Sequence, residues 1–286
     1  MGKRLRTTVL LAALTALILW VGAALGGQQG IVIALVIAAV TNFGSYWFSD
    51  KIVLASYRAQ PVSEAEMPML YRIANNLRVK MHLPVTPRLY VIPTDALNAF
   101  ATGRNPEHAA IAVTQGIARL LSERELEGVL AHELAHVKNY DILTSSIAAT
   151  LAGAVMMLAN MARWAMLFGG FRRDDRDEGA GGLELLVMMI LAPIAAMLIQ
   201  LAISRGREFA ADESGAHYLG DPLALASALE KLEAANQQLR LDASPATAHL
   251  FIVNPLAGLS FARLFSTHPP TAERIARLRA MVGQSR

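Results

Sequence analysis

The strongest constraint on the fold of this chain is a pair of uncharged apolar segments near its N-terminus. Thr7–Gly27 contains no charged side chain, and Gly30–Ser49 follows after only two glutamines. Each is about as long as the roughly 20 residues that an α-helix needs to cross a bilayer. A cleaved signal peptide is the alternative, but its apolar region is usually shorter and is not followed directly by a second one. We therefore predict a transmembrane hairpin over residues 1–50.

Two further uncharged segments, Ile142–Ala162 and Leu185–Ile203, lie in the second half of the chain. The second contains Pro193, which is expected to kink it. A charged, glycine-flanked loop, Gly169–Gly182, separates them. Two buried core helices are the alternative reading of this pair. We predict instead that residues 142–203 form a second transmembrane hairpin, which gives the chain about four transmembrane helices.

The positions of the basic residues predict the orientation of the chain in the membrane. Lys3, Arg4 and Arg6 precede the first apolar segment, and Lys51 and Arg58 follow the second. Lys and Arg near membrane spans concentrate on the cytoplasmic side. Both ends of the first hairpin are therefore predicted to be cytoplasmic. The loop Gly169–Gly182 departs from this rule, because its three arginines would have to lie on the side of the membrane away from the cytoplasm.

Overall composition excludes several classes of protein and of metal site. Hydrophobic residues make up 54% of the chain and charged residues only 17%, which excludes a disordered chain and a coiled coil. The absence of cysteine excludes a disulfide scaffold, a thiolate nucleophile and a Cys-ligated metal. Any metal ion must therefore be held by His, Asp and Glu.

The segment between the two apolar pairs has the patterns of an aqueous domain. Ser63–Glu66 and Ser122–Glu125 match the helix capping box, and the second of these opens a helix that contains HELAHV. Short β-rich runs predict three strands, over Arg88–Ile92, Ala96–Gly103 and Ala109–Gly116. The predicted fold class is α+β and mainly helical, with a small β-sheet.

The motif that carries chemistry is His132-Glu-Leu-Ala-His136 on the capped helix. Two histidines four residues apart lie on one face of a helix and reach the same zinc ion. Glu133 lies to the side, where a carboxylate can take a proton from a zinc-bound water. This H-E-x-x-H spacing is typical of zinc metalloproteases.

A catalytic zinc needs a third protein ligand, and several residues are candidates. Asp141 is a poor one, because it lies on the opposite side of the helix from His132 unless the helix breaks. His249 and His268 are further options. Glu208 is the better candidate, because Asp212 lies one helical turn away and can hold a ligand histidine by its other ring nitrogen.

Four motifs together resemble the HtpX family of membrane metallopeptidases, relatives of the CAAX prenyl proteases. They read HELAHVKNYDIL, SRGREFAADE, NAFATG and FSTHPPTAERI. The resemblance covers essentially the whole chain and implies a gluzincin-like zinc protease domain over residues 51–286, interrupted by the second hairpin. It also implies one Zn²⁺ per subunit on His132, His136 and Glu208, with Glu133 as the general base.

The same resemblance implies roles for residues that no spacing selects. Asn98, followed by Ala99 and Phe100, is expected on an edge strand that pairs with substrate backbone. His268 is expected to stabilise the tetrahedral oxyanion. We further expect Asp212 and Arg274 to form a supporting ion pair.

The sequence thus predicts a zinc endopeptidase of the cytoplasmic (inner) membrane, with several membrane spans and its active site on the cytoplasmic side. The expected partners are polypeptides, mainly membrane proteins, and the lipid bilayer, without nucleic acid. The family implies stress response and protein quality control. One alternative is a non-catalytic membrane adaptor or metal-binding scaffold. The other, an intramembrane metalloprotease, fits less well because charged residues flank the motif.

Overall fold

A computed structural model describes residues 3–151, 205–236, 250, 252 and 269–282 of the 286-residue chain. The described elements confirm a mainly helical fold with a small mixed sheet. In chain order they are α1 (Lys3–Ser56), β1 (Gln60–Pro61), α2 (Pro68–Lys80), β2 (Arg88–Ile92), β3 (Ala99–Thr102), a 3₁₀ turn (Pro106–His108), β4 (Ala110–Thr114), α3 (Gln115–Leu120), α4 (Glu123–Lys138), α5 (Ile142–Leu151), α6 (Arg205–Leu219), α7 (Pro222–Asn236) and α8 (Thr271–Ala280).

The long helical segment α1 folds back on itself at Gly27, whose φ of 55° lies in the left-handed region. The Nδ2 of Asn42 donates to the Oγ1 of Thr15 at 2.8 Å, although 27 residues of continuous helix would span about 40 Å. Gly22 and Gly30 touch backbone to backbone, because a Cβ on Gly30 would lie 2.0 Å from the Gly22 carbonyl oxygen. The two arms of α1 therefore run antiparallel.

The second arm of α1 is the described segment that is best suited to a membrane. Gly27–Ser56 is long and apolar enough to cross a bilayer, with a mean hydropathy of 1.8, and most of its large apolar side chains are exposed. It is the one such helix among the described residues, so four spans are not confirmed. In the predicted second hairpin, only α5 is described, because residues 152–204 lie outside the described residues.

The sheet has the strand order β1-β2-β4-β3, with β2 parallel to β4 and β3 antiparallel to β4. The three predicted strands are present, and β3 lies at one edge. The sheet has four strands rather than three, because Gln60 and Pro61 pair with Val91 and Tyr90. This strand of two residues is too short to give a period-2 pattern in the sequence.

Each face of the sheet packs against a different part of the molecule. Leu89, Ile111 and Val113 join the main core with α2, α4, α7 and α8. Phe100 and Ala112, which alternate with them, pack against the C-terminal end of α1. Because both faces are covered, β4 is buried at every position. The apolar hairpin is therefore fixed directly to the sheet of the aqueous domain.

Of the two predicted capping boxes, one caps a helix as expected. The Ser122 box caps α4, and Asp221 Oδ1 accepts from the amides of Leu223 and Ala224 at the start of α7. Ser63 and Glu66 also bond to each other, but they close a turn before the helix. The helix itself begins at Pro68, because the fixed φ of proline suits a first helical position.

Candidate metal centre

Two helices bring the predicted metal ligands together. His132 and His136 lie one turn apart on α4, and Glu208 lies in the first described turn of α6, which packs beside α4. The two Nε2 atoms are 3.3 Å apart. The Glu208 oxygens lie 3.7 Å from His132 Nε2 and 3.6 Å from His136 Nε2. These three side chains are a group of residues that could hold a metal ion.

The spacing of these atoms fits zinc. Tetrahedral zinc binds nitrogen or oxygen at about 2.0–2.2 Å, which places neighbouring ligand atoms roughly 3.3–3.6 Å apart. The observed separations of 3.3, 3.6 and 3.7 Å are close to that range. Two imidazoles and one carboxylate are also a donor set that catalytic zinc sites use. The three residues thus fit the metal without rearrangement of the backbone.

A buried ion pair holds His132 in place. The Nδ1 of His132 lies 2.8 Å from Asp212 Oδ1, so its Nε2 is directed towards the ligand group. Arg274 bonds both oxygens of Asp212, at 2.7 and 2.8 Å, and is only 1% exposed. Burial raises the pKa of Asp212, but Arg274 outweighs it and lowers the pKa to about 2. The expected contact between Asp212 and Arg274 is thus present.

A second carboxylate, that of Asp141, lies beside His136. Helix α4 ends at Lys138, and Tyr140 takes a left-handed conformation with φ 58°. This break brings Asp141 Oδ2 to 3.5 Å from His136 Nδ1, with Arg207 Nη1 3.7 Å from Asp141 Oδ1. Each ligand histidine therefore has its own carboxylate, and each carboxylate has an arginine nearby.

The carboxylates around His136 favour its protonated form. Burial lowers the pKa of His136, but Glu208, Asp141 and Glu133 together raise it to about 9. Metal binding requires a neutral imidazole. A metal ion that binds near neutral pH must therefore displace a proton from this ring.

Glu133 lies beside the ligand group and is 6% exposed. Its Oε2 accepts a hydrogen bond from the backbone N–H of Ala101 on the edge strand β3, at 2.9 Å. Burial raises the pKa of Glu133, and the nearby histidines oppose that shift only in part. Burial of this carboxylate thus favours proton uptake, while the Ala101 N–H fixes its position and favours its ionised form.

The edge of β3 that does not pair with β4 faces this site. Thr114 N–H donates to the Asn98 carbonyl and Asn98 N–H donates to Thr114 Oγ1, so these residues form a bonded pair. Bonded and non-bonded positions alternate along antiparallel strands. Phe100 therefore bonds to β4, whereas the backbone groups of Ala99 and Ala101 point away from it. Backbone groups that point away from β4 are the ones with which an extended peptide would form hydrogen bonds.

Asn98 precedes β3 and is 1% exposed. Its Oδ1 accepts from the backbone N–H of Ile252 at 3.1 Å, and its buried Nδ2 has no acceptor among the described residues. The carbonyl of Ile252 in turn accepts from Arg274 Nη1 at 2.8 Å. Asn98 is therefore linked through one residue to the ion pair that holds His132. His268, the expected oxyanion stabiliser, lies outside the described residues, as does His249.

Two glycines set how closely the helices around the ligands approach. A Cβ on Gly215 of α6 would lie 2.9 Å from backbone atoms of Ala131 and His132 on α4. A Cβ on Gly128 of α4 would lie 2.5 Å from the backbone nitrogen of Leu225 on α7. Cβ atoms are not found at such distances, so both positions require glycine. Helix α4 is thus in backbone contact with a helix on each side.

Known proteins share both the sequence and the fold of this chain. The family model of peptidase family M48 matches residues 64–282. A protease HtpX homolog of Syntrophobacter fumaroxidans is 66% identical over 98% of this chain and all of its own length. A homolog of Thermococcus sibiricus is 54% identical over 98% of this chain and 96% of its own length.

The crystal structure of S. mikatae Ste24p is similar in fold, with a TM-score of 0.50 and 18% identity over 96% of this chain and 65% of that chain. The relatives are named proteases, and the family is one of peptidases. The predicted resemblance to the HtpX family is therefore confirmed. The chain belongs to peptidase family M48 and, within it, to the HtpX proteases.

Proposed function

We propose that this protein is a zinc-dependent endopeptidase that cleaves membrane or misfolded proteins at the cytoplasmic surface of the membrane. The observation that carries the proposal is the buried carboxylate of Glu133 beside His132, His136 and Glu208. A scaffold that only binds metal needs the three ligands but does not need a buried carboxylate beside them. The geometry therefore favours hydrolysis over the adaptor alternative.

The chain supplies the proton chemistry of the reaction. When bound, zinc would lower the pKa of a water molecule and polarise the peptide carbonyl. Glu133 would take the proton of the attacking water at its carboxylate and later give it to the leaving amine. Asp212 and Asp141 would keep the two imidazoles oriented. His268 is proposed to stabilise the oxyanion, on the resemblance alone.

Substrate binding is proposed at the edge of β3. An extended peptide would pair, next to Phe100, with the outward backbone groups of Ala99 and with the outward carbonyl of Ala101, because the Ala101 N–H already donates to Glu133. Affinity would then depend little on side chains. The Nδ2 of Asn98, which has no acceptor among the described residues, supports a contact with a substrate carbonyl. Recognition through the main chain suits a protease that acts on many unfolded polypeptides.

We further propose a multi-pass protein whose second hairpin, residues 142–203, also spans the membrane. The ligand-bearing helices α4 and α6 adjoin that segment on both sides, which would place the centre at the cytoplasmic surface. The charged residues that flank the H-E-x-x-H motif argue against an active site inside the bilayer. A reporter fused into the loop at residues 172–178 should then read as outside, and a cytoplasmic signal would refute the second hairpin.

The decisive experiment replaces Glu133 by glutamine in the full chain. Glu133→Gln should keep stoichiometric zinc and lower casein cleavage by about 10³-fold, because general bases contribute roughly 10²–10⁴-fold. Bound zinc is measured by metal analysis, and casein cleavage is followed by gel electrophoresis. Glu127→Gln, the same change on the same helix at a partly exposed position, is the matched control and should cleave normally.

Undiminished cleavage by Glu133→Gln would contradict the mechanism. Zinc-loaded wild-type protein that cuts nothing across a broad panel of unfolded and membrane proteins would instead support the adaptor alternative. These two results are distinct, because the first concerns the base and the second the activity itself.

A further inference from the structure

A cavity of about 670 Å³ lies where the second arm of α1 meets the aqueous domain. Its walls come from the helix end around Trp47 and Lys51, from the start of β2 at Arg88, and from the loop that contains Arg104. Its volume is in the range of small-molecule sites. None of the metal-centre residues lines it.

The aromatic side of this cavity continues the apolar surface of the helix. Phe43, Trp47 and Phe48 line it and are 61%, 42% and 44% exposed. The exposed aliphatic residues Val36 and Val40 precede them on the same helix. Aromatic side chains at the end of an apolar helix are typical of the boundary between hydrocarbon and headgroups. The cavity therefore opens at the depth where lipid headgroups would lie.

The polar side of the cavity is mainly cationic. The cations that line it are Lys51, Arg88 and Arg104, with His108 beside them, and its carboxylates are Asp50 and Glu107. Arg88 lies 2.8 Å from Asp50, so the charge of that carboxylate is already paired.

Two of the cations are held over aromatic rings. The Arg104 guanidinium lies 4.7 Å from the Trp47 ring centre, and Lys51 Nζ lies 5.4 Å from that of Phe48. Such stacking fixes a cation while its hydrogen-bond donors remain available. The cations are thus positioned in advance for an anionic group.

We propose that this cavity binds the headgroup of an anionic phospholipid of the cytoplasmic leaflet. Lys51 and Arg104 would contact the lipid phosphate, and Phe43 and Trp47 would pack against the start of the acyl chains. Basic pockets beside membrane helices on this side are suited to such headgroups. Bound lipid would bridge α1 and the loop at Arg104 and so fix the aqueous domain against the membrane surface.

The test measures lipid binding to the full chain in detergent, in a Glu133→Gln background that keeps self-cleavage out of the readout. Short-chain phosphatidylglycerol, phosphatidylcholine and inorganic phosphate are titrated separately, and binding is followed by the rise in unfolding temperature and by native mass spectrometry. Phosphatidylglycerol should bind best. Lys51→Gln or Arg104→Gln should weaken it about fivefold each, and the double variant about thirtyfold.

Two controls separate the cavity from general charge effects. Arg72→Gln removes one exposed, ion-paired cation on α2 and should leave lipid affinity unchanged. Arg104→Lys keeps the charge and should retain most of the binding. Unfolding temperatures without lipid show whether each variant is folded; where the double variant fails to fold, the single variants decide the test.

Equal affinity for phosphatidylcholine, or full affinity in the double variant, would overturn the proposal. Inorganic phosphate that binds as tightly as the lipid would also overturn it, because the cavity would then be an anion site without a role for the aromatic residues. The test does not depend on proteolysis, so it can fail while the proposed peptidase activity stands, and the reverse holds as well.

Discussion

The N-terminal hairpin and the metal centre arrange polar and apolar side chains in opposite ways. In the second arm of α1, aliphatic residues such as Val32 and Val40 are exposed, while Ala38, Ser45 and Ser49 are buried. Around the metal centre, charged residues are buried and aliphatic ones surround them. An outward apolar surface is stable in lipid and costly in water. The hairpin therefore has apolar side chains on its surface, as suits lipid, whereas the aqueous domain has them in its core, as suits water.

The two regions also differ in how much each polar contact stabilises. A buried charge without a partner costs several kcal/mol, so every charge at the metal centre depends on its neighbour. Polar contacts between membrane helices contribute less, on average about 0.6 kcal/mol. Single substitutions should therefore have large effects in the aqueous domain and small effects in the hairpin.

The largest effect is expected from breaking the buried pair at the metal centre. Arg274→Met leaves Asp212 buried without its cation and should lower the free energy of unfolding by about 3–5 kcal/mol. Zinc affinity should fall by about 10- to 100-fold, because His132 loses its oriented carboxylate. Denaturant unfolding and zinc competition measure both quantities.

The matched control is Arg279→Met, a change on the same helix at an exposed arginine that pairs with Glu230. It should alter the free energy of unfolding by less than about 0.5 kcal/mol. Equal losses in the two variants would show that the burial of Arg274 has no special weight.

A smaller effect is expected at the capping box of α4, away from the metal. Burial raises the pKa of Glu125, but hydrogen bonds from Lys231 and Ser227 outweigh it and lower the pKa to about 2. The Glu125 carboxyl thus binds a proton more weakly in the folded state than in the unfolded state. The stabilising contribution of the ionised Glu125 is therefore complete above the ordinary pKa of 4.5. It is lost as the pH falls from 4.5 to about 2.

Glu125→Gln should therefore lower the free energy of unfolding by about 2–3 kcal/mol near neutral pH, and the deficit should shrink as the solution is acidified. Unfolding curves across the acid range measure the difference. Glu123→Gln, at an exposed position in the same helical turn, should show little deficit at any pH. A deficit for Glu125→Gln that stays constant with pH would contradict the assigned cause.

The smallest effect is expected in the hairpin. Asn42→Leu removes the hydrogen bond to Thr15 and should lower stability in detergent by about 0.6 kcal/mol, and by no more than about 1.7. Thr15→Val should give a similar loss, and the double variant should lose little more, because both changes remove the same bond. A loss as large as that of Arg274→Met would remove the distinction between the two regions.

Local patterns predicted much of this fold, and long-range contacts account for most of what they missed. The ligands His132 and His136 are one helical turn apart, so their joint position follows from local geometry alone. Spacing favours Glu208 among several candidates for the third ligand, and the family motifs imply the same residue. Asp141 was set aside because a continuous helix places it opposite His132. The left-handed Tyr140 breaks the helix and brings Asp141 beside Nδ1 of His136, outside the ligand group, and tyrosine is not a residue whose presence predicts such a break.

The contact between Ala101 and Glu133 had no signal in the sequence, because a backbone N–H is present at almost every position. The two-residue strand β1 was missed for a similar reason, since its pairing depends on β2 and not on its own pattern. By contrast, the Ser63 capping box predicts a hydrogen bond correctly but predicts the first residue of the helix incorrectly. Ser63 and Glu66 bond as expected, yet Pro68 decides where the helix begins.

The backbone contacts at Gly128 and Gly215 have a consequence for the metal ligands. Because no side chain separates α4 from α6 at Gly215, the distance between the backbones that carry His132 and Glu208 is set by peptide groups, which cannot change rotamer. The contact with α7 at Gly128 leaves α4 no room to shift away on the other side. The backbones that carry His132 and Glu208 are therefore held at a fixed separation, so an ion of a different size would have to be accommodated by movement of their side chains.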